Sequence, residues 1–195
     1  MAFVVLVLVV FILEGETPDV DDPAREVVDF YADNEGQTFF ASVILALASV
    51  LLIFFAATLR GALRRGEEAA GVLSVAAFGG GVVAAAGFGV DAAFRFALAD
   101  SAEDIDPAAA QALNALFGDF FFPMVVGLSA LVLATSLAAL RTRLVPVWLA
   151  WVGIAIVVVF FTPLGFVAFL ASGLWIAAVS VLLWRREESG LALPG

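Results

Sequence analysis

The sequence predicts an all-α protein, a polytopic bundle of membrane helices. Three observations favour this class. Hydrophobic residues make up 64% of the 195 residues and the mean hydropathy is +1.11, whereas a soluble domain is about half apolar. The apolar residues form long uncharged runs of the length that crosses a bilayer. Arginines flank these runs at one set of ends and acidic residues at the other. We therefore expect residues 1–195 to form one transmembrane domain of six helices, the first of them short.

The first apolar segment, Ala2–Leu13, is only 12 residues long. As a helix it would measure about 18 Å, against a hydrocarbon core of about 30 Å. It lacks the basic start and the small-residue cleavage site of a signal peptide. We expect a helix that enters part of the bilayer and leaves a groove beside the second helix, or one whose true start lies upstream of Met1.

An acidic connection, residues 14–37, follows. Asp22-Pro23 has the pattern of a helix N-cap followed by proline in the first turn. Four apolar side chains then share one helical face: Val27, Val28, Phe30 and Tyr31. That face predicts a short amphipathic helix on the outer membrane surface. The carboxylates around it lack EF-hand spacing and are typical of a solvated surface.

The second and third predicted helices are long. Residues 38–59 carry no charge over 22 positions, which is enough to cross a bilayer. The third helix begins near Val72 and reaches about Ala99. Its middle contains small residues at four-residue spacing, which let neighbouring helices approach closely. These predicted helix-packing residues are Gly80, Gly81, Ala84, Ala85 and Gly87.

The rest of the chain predicts three more helices. Asp106-Pro107 repeats the cap-and-proline pattern, and a helix beginning there can continue to Leu140. Residues 144–184 contain 41 positions without a charge. A single helix of that length would measure about 60 Å, so the segment must fold back. Residues 162–165, Thr-Pro-Leu-Gly, predict the turn because proline disfavours helix in the residue before it.

Positive charge sets the predicted orientation. Seven of the nine arginines follow apolar segments, and the positive-inside rule places those ends in the cytoplasm. Six crossings then put both termini in the cytoplasm. The lysine-free, acidic, alanine- and valine-rich composition is typical of a high-GC or salt-adapted prokaryote. We therefore expect the plasma membrane of a prokaryote as the location.

An internal repeat is a further prediction. The segment that begins near Asp21 and the one that begins near Asp104 share the same order: acidic residues, Asp-Pro, an amphipathic helix and an apolar span ending in Leu-Arg. Some transporters contain parallel repeats of this kind. So biased a composition also produces similar hairpins by chance, and both explanations stay open.

Three charged residues fall at membrane depth within the predicted helices: Asp91, Arg95 and Asp119. Asp91 and Arg95 lie four residues apart, acid before base, which is the favourable order on a helix. Asp119 lies at a similar height on the next helix, so we expect all three to meet near the outer boundary. Pro123 deprives the Asp119 carbonyl of its helical partner. The cluster is either a buried clamp beside a proline kink or a polar recess for a cation, a proton or a head group.

Composition excludes several chemistries within this chain. It contains no cysteine and no histidine, which removes disulfides, thiolate chemistry and Cys- or His-ligated metals. Ser-His-Asp catalysis is excluded for the same reason. We predict no metal, no cofactor and no enzymatic activity. The arginines form short flanks instead of a stripe, so no nucleic-acid partner is expected.

Four stretches carry a resemblance to known proteins. They read Glu-Gly-Glu-Thr-Pro-Asp-Val-Asp-Asp-Pro (14–23), Val-Val-Asp-Phe-Tyr-Ala-Asp-Asn (27–34), Ala-Leu-Asn-Ala-Leu (112–116) and Asp-Phe-Phe-Phe-Pro (119–123). Together they resemble a group of uncharacterised small integral membrane proteins of actinobacteria, over nearly the whole chain. The resemblance implies six helices and no function. The first helix is shorter here than is usual in that group.

We predict a non-enzymatic membrane module or accessory subunit. Its expected partners are membrane lipids and either a second copy of the chain or a larger membrane complex. The alternative is a small transporter or channel that uses the recess at Asp91, Arg95 and Asp119. Below that level the fourth helix offers only three hydroxyls as a polar path: Ser129, Thr135 and Ser136. An intramembrane enzyme is the least favoured class.

Overall fold

The computed structural model describes residues 1–15, 17–19, 21–65, 71–119 and 121–188, without the side chains of residues 14, 119 and 186–188. Within these ranges the protein is an all-α bundle of eight helices and contains no strand, which confirms the predicted class. The helices are α1 (Ala2–Glu14), α2 (Ala24–Asp33), α3 (Glu35–Arg64), α4 (Val72–Ser101), α5 (Pro107–Asp119), α6 (Phe122–Thr142), α7 (Val147–Phe160) and α8 (Gly165–Glu188).

Four parts of the described chain are long and apolar enough to cross a membrane: α3, α4, α8, and α5 together with α6. Two further helices are apolar but shorter. The first, α1, has 13 residues, in keeping with the predicted short first helix. The other, α7, has 14 residues, or about 21 Å. Six apolar segments are therefore present, as predicted, but two of them are shorter than a bilayer is thick.

The long helices run antiparallel and define two ends of the bundle. At one end α3 and α6 begin and α4 finishes; we call it the acidic end, because residues 19–33 and 100–106 lie there. The opposite end, where α3 and α6 finish, is the arginine end. Its arginines at positions 60, 64, 65, 141 and 143 are all exposed.

The central helix of the bundle is α4, which packs between α3 and α6. A Cβ built on Gly80 would lie 2.5 Å from the backbone nitrogen of Leu131 in α6, and one on Gly81 would collide with Ala56 in α3. The two adjacent glycines thus face opposite neighbours.

The other predicted packing residues lie at the same contacts. A Cβ on Gly87 would lie 2.8 Å from Cγ of Met124, and Ala84 lies directly against Gly127 of α6. Ala85 is fully buried, and its carbonyl accepts a 2.7 Å hydrogen bond from Oγ of Ser49 in α3. Small side chains allow these backbones to approach, as they do in membrane helix pairs.

The fourth predicted helix is described in two parts, which together form one candidate membrane span of 36 residues, and residue 120 between them lies outside the described residues. The first part, α5, ends at Asp119, and α6 begins at Phe122, with Phe121 in a turn between them. Pro123 lies in the first turn of α6. Proline is well tolerated there because the first N–H groups of a helix have no intrahelical acceptor. The kink that the sequence predicts at Pro123 therefore stays a prediction.

The two short amphipathic helices lie together at the acidic end. They pack against each other and against the last turns of α4. Val27 and Tyr31 of α2 join Leu98 of α4 and Ala102, the residue that follows α4, in a small second core. The apolar face of α2, expected on the membrane surface, is thus buried against the protein itself.

Only one of the two predicted aspartate N-caps forms. Oδ1 of Asp106 accepts a 2.9 Å hydrogen bond from the N–H of Ala108 at the start of α5. Oδ2 of Asp22 instead accepts the N–H of Asp19 at 2.7 Å, and Pro23 occupies the N-cap position of α2. Since the preceding turn uses the Asp22 carboxylate, α2 begins without a side-chain cap.

The hairpin of α7 and α8 has its turn at residues 161–164, where the sequence predicts it. The N–H of Gly165 donates to the Thr162 carbonyl at 3.0 Å. Deeper in the bundle, Nε1 of Trp175 donates to the Leu149 carbonyl at 2.9 Å. This buried bond ties the two helices together.

The short helix α1 packs mainly against α3. The side-chain amide of Gln37 at the start of α3 donates to the Leu13 carbonyl, so α1 finishes at the acidic end. Near the other end of α1, the Phe3 ring lies 5.3 Å from that of Phe88 in α4. One groove beside α1 lies toward α8, and a larger cavity is lined by α1 together with Leu45 of α3, the second predicted helix.

Candidate functional site

A cavity of about 790 Å³ opens at the acidic end of the bundle. Its walls come from α1, α3, α4, α5, α6 and the α7–α8 turn. Nine phenylalanines line it, and Asp91 and Arg95 are the charged residues in its described lining. We call it the acidic-end cavity. It combines a large aromatic surface with one polar wall.

Asp91 and Arg95 form an ion pair in that wall. Nε of Arg95 lies 3.0 Å from Oδ2 of Asp91. Both residues are buried, with exposed fractions of 5% and 9%. The guanidinium carbon of Arg95 also lies 4.6 Å from the centroid of the Phe117 ring in α5, within the range of a cation–π contact. Arg95 therefore links α4 to α5 as well as to Asp91.

The other two residues of the predicted cluster are placed differently. Asp119 is the last residue of α5, and its side chain lies outside the described part of the chain. Its participation stays a prediction. Pro123 is half-buried in the first turn of α6, and the cavity is lined by its neighbours Phe122 and Met124. Pro123 thus shapes the start of a wall helix without lining the cavity itself.

Sequence reasoning missed the polar contacts between α2 and α5. Oη of Tyr31 donates to Oδ1 of Asn114 at 2.7 Å. Nδ2 of Asn114 donates to the Pro18 carbonyl at 3.0 Å, and Nε2 of Gln111 donates to the Asp22 carbonyl at 2.8 Å. The sequence did contain a signal for these contacts: the side-chain amides of Gln111 and Asn114 lie three residues apart, on one face of the predicted amphipathic helix. These bonds hold both short helices in place beside the cavity.

Burial raises the pKa of Tyr31 above its ordinary value of 10.0, and the negative charge of Asp91 raises that pKa further. The ring is almost completely enclosed, with 2% of its surface exposed. The hydroxyl therefore keeps its proton at neutral pH and remains a donor to Asn114.

An aromatic cluster closes the inner side of the cavity. The centroid of the Phe169 ring lies 6.0 Å from that of Phe11, 6.1 Å from that of Phe88 and 5.4 Å from that of Phe121. These distances are those of favourable aromatic pairs. Beyond the cluster, the arginine half of the bundle is closely packed along α4 and α6.

The three hydroxyls considered as a polar path lie in that packed region. Oγ1 of Thr135 donates to the Leu131 carbonyl of its own helix at 2.6 Å. The hydroxyls of Ser129 and Ser136 are buried and make no hydrogen bond to the described residues. Ser136 lies against Gly153 of α7, which leaves no room between α6 and α7 at that level.

The described side chains contain no group of three or more His, Cys, Asp or Glu residues that could hold a metal ion. Comparison of the chain with protein-family models, with curated proteins and with solved structures gives no match. The resemblance to actinobacterial membrane proteins therefore stays a prediction.

Proposed function

We propose that this protein is an integral membrane protein that binds an amphipathic molecule of the membrane-lipid class in the acidic-end cavity and catalyses no reaction. The cavity is the observation that carries the proposal. Its volume of about 790 Å³ lies within the range of small-molecule sites, about 300–1,000 Å³. Aromatic rings accept a hydrocarbon chain, and the ion pair accepts a polar head group.

The charges of the polar wall narrow the chemistry of the head group. Asp91 is negative and Arg95 positive, and they are held together at 3.0 Å, so their fields largely offset each other at a distance. A free ion gains little from such a pair. A zwitterionic or hydroxylated head group can donate to the carboxylate and accept from the guanidinium at the same time.

The surface of the bundle supports placement in a membrane. Large apolar side chains such as Phe54 and Leu174 are exposed on the long helices, as expected for residues that contact lipid tails. Trp148, Trp151 and Trp184 are exposed toward the arginine end, which matches the aromatic belt at a membrane interface. With the arginine end inside, the acidic-end cavity opens on the outer side of a prokaryotic plasma membrane, and both termini are cytoplasmic.

A binding role fits the cavity better than an enzymatic one. The carboxylate in its described lining already accepts a hydrogen bond from Arg95, and the chain contains no histidine or cysteine to serve as a base or a nucleophile beside it. Transport is the alternative, because the cavity is an outward recess. The aromatic cluster around Phe169 closes the inner side of that recess, and this favours binding over conduction.

The proposal is tested by filling the cavity. Gly118 lines it, and a Cβ built there meets no atom within 4 Å. Gly118→Trp should therefore occupy part of the cavity without forcing the bundle apart. Gly36, which is equally open but lies on α3 away from the cavity, supplies the control variant Gly36→Trp.

The measurement is native mass spectrometry of the proteins purified in mild detergent from the same cells. Wild type and Gly36→Trp should carry bound lipid, and Gly118→Trp should lose most of it. A wild-type protein that carries no lipid, or equal occupancy in the two tryptophan variants, would contradict the proposed function.

A further inference from the structure

A second, smaller cavity of about 210 Å³ lies between α1 and α8. Its lining is apolar apart from Ser172, whose hydroxyl donates to the Phe169 carbonyl of its own helix at 2.7 Å. Leu8, Leu170 and Leu174 on its rim are exposed. We call this cavity the α1–α8 groove. In a bilayer such a rim faces lipid tails.

The α1–α8 groove borders the acidic-end cavity. Four residues line both: Val7, Phe11, Phe88 and Phe169. Of these, Phe11 is 42% exposed and Phe169 is 7% exposed, and their ring centroids are 6.0 Å apart. The two spaces are therefore separated by side chains alone, and a rotation of the accessible Phe11 ring would join them.

The seam between α1 and α8 is less closely packed than the contact between α4 and α6. The contacts of α1 are mainly with α3. Toward α8, a Cβ built on Gly173 would still lie 3.6 Å from Cγ1 of Val4, an ordinary van der Waals distance. By contrast, the contacts of Gly80 and Gly127 between α4 and α6 leave no room for a Cβ. A seam with few packed side chains opens at lower free energy than a close-packed one.

We propose that the ligand of the acidic-end cavity is a phospholipid that enters sideways from the bilayer through the α1–α8 groove, and that one acyl chain stays in the groove when the head group lies at Asp91 and Arg95. This inference rests on the proposed function and adds the route of entry and the occupant of the groove. A hydrocarbon chain is the occupant because the groove is apolar, opens where lipid tails lie and leads to a polar wall. From Phe3 to Phe11 it follows α1 for about 12 Å.

The first test fills the groove and leaves the cavity untouched. Gly173 lies in the groove with only Val4 nearby, so Gly173→Leu should occupy the space of the acyl chain. Gly79→Leu is the matched control, because Gly79 is an exposed helical glycine with no atom within 4 Å of a built Cβ. The proteins are reconstituted in phosphatidylcholine vesicles and transferred to vesicles of deuterated phosphatidylcholine, and the bound lipid is followed by native mass spectrometry.

Wild type and Gly79→Leu should carry phosphatidylcholine and exchange it, whereas Gly173→Leu should lose most of the bound lipid. If wild type carries no lipid at all, the proposed function fails. If wild type carries lipid and Gly173→Leu binds and exchanges it equally well, only the route and the occupant of the groove are wrong. A wild-type dimer that Gly173→Leu dissociates would also overturn the inference, because it would assign the groove to a second copy of the chain.

The second test closes the seam reversibly. The chain contains no cysteine, so Val4→Cys combined with Gly173→Cys introduces one disulfide across the groove. Oxidation should stop the exchange of phosphatidylcholine, and reduction of the same sample should restore it. Each single-cysteine variant, oxidised in parallel, should exchange at the wild-type rate. Unchanged exchange in the oxidised double variant would contradict entry through the α1–α8 groove. It would show that lipid enters through the open side of the cavity beside residues 161–164.

A third test asks whether the acyl chain is needed for binding or the head group is enough. Glycerophosphocholine carries the head group of phosphatidylcholine without its acyl chains. It should fail to displace bound phosphatidylcholine at concentrations where lysophosphatidylcholine, with a single chain, succeeds. Equal displacement by both compounds would show that the head group alone binds, and would overturn the part assigned to the groove.

Discussion

At the scale of single residues, Arg95 joins three parts of the molecule. It pairs with Asp91 on α4, lies over the Phe117 ring of α5, and lines the acidic-end cavity. Clamp and recess, which the sequence leaves as alternatives, thus use the same side chains. The contribution of Arg95 to stability can be measured apart from ligand binding by removing its charge alone or together with the charge of Asp91.

Arg95→Met should be strongly destabilising. It leaves the buried Asp91 carboxylate without its salt-bridge partner, and breaking a buried pair from one side costs about 3–5 kcal/mol. Adding Asp91→Asn removes the stranded charge, so the double variant should recover most of the lost stability. The measurement is unfolding by titration with sodium dodecyl sulfate, followed by circular dichroism. A double variant as unstable as Arg95→Met would show that the arginine acts through Phe117 and not through the ion pair.

Tyr31 should titrate abnormally, and it can be observed directly because it is the one tyrosine of the chain. Burial and Asp91 raise its pKa above 10.0, so the absorbance of phenolate at 295 nm should stay flat as the folded protein passes through pH 10. Above that pH the unfolded chain releases its tyrosine proton and the folded protein keeps it, so stability should fall as pH rises.

Two controls accompany the titration of Tyr31. The denatured protein should develop the phenolate absorbance near pH 10, and Tyr31→Phe should show no such signal while losing part of the high-pH dependence of stability. A normal titration curve in the folded protein would contradict the burial of the Tyr31 ring of α2 against α4 and α5.

At the scale of helices, the two adjacent glycines of α4 offer a matched pair of substitutions. Gly80→Ala places a Cβ 2.5 Å from the Leu131 nitrogen and 2.7 Å from the Gly127 carbonyl oxygen. Backbone atoms cannot move without separating α4 from α6, so we expect a loss of about 1–3 kcal/mol or more. Gly79→Ala meets nothing within 4 Å and should be neutral or gain up to about 1 kcal/mol of helix propensity. Detergent unfolding of both variants measures the difference, and similar effects in the two would refute the assigned α4–α6 contact.

The α4 contacts were open to prediction from the sequence because their cause is local. Small residues recur every four positions, and that spacing alone places them on shared helical faces. The Asp91–Arg95 pair was predictable for the same reason. The surface against which α2 packs was not predictable. The pattern shows that Val27 and Tyr31 share a face, but an apolar face of this kind can pack against lipid or against protein.

The cavity could not be predicted from the sequence, because its lining comes from parts of the chain that are far apart. Phe11, Phe88 and Phe169 belong to α1, α4 and α8 and meet only through the fold. The spacing of residues along the sequence does not predict a contact between distant segments. In a chain with 19 phenylalanines, many different sets of rings could have met in the core.

At the scale of the whole molecule, the two halves of the bundle differ. In the arginine half the long helices α3, α4 and α6 are in close contact, whereas the acidic half contains the cavity and the docked pair α2 and α5. The predicted repeat fits part of this arrangement, since α2 with α3 and α5 with α6 share the order of a short helix followed by a long one. If the arginine end faces the cytoplasm, the proposed lipid site in the acidic-end cavity opens toward the outer leaflet.

The orientation is tested with single cysteines in the cysteine-free chain. Asp104 at the acidic end and Arg65 at the arginine end are both exposed, so Asp104→Cys and Arg65→Cys give sites of comparable access at opposite ends. The positive-inside rule predicts that a membrane-impermeant maleimide labels Asp104→Cys in intact cells and labels Arg65→Cys only after permeabilisation. The reverse pattern would show the opposite orientation, with the acidic-end cavity at the cytoplasmic leaflet. Equal labelling of both sites in intact cells would mean that the bundle does not lie across the membrane in one orientation.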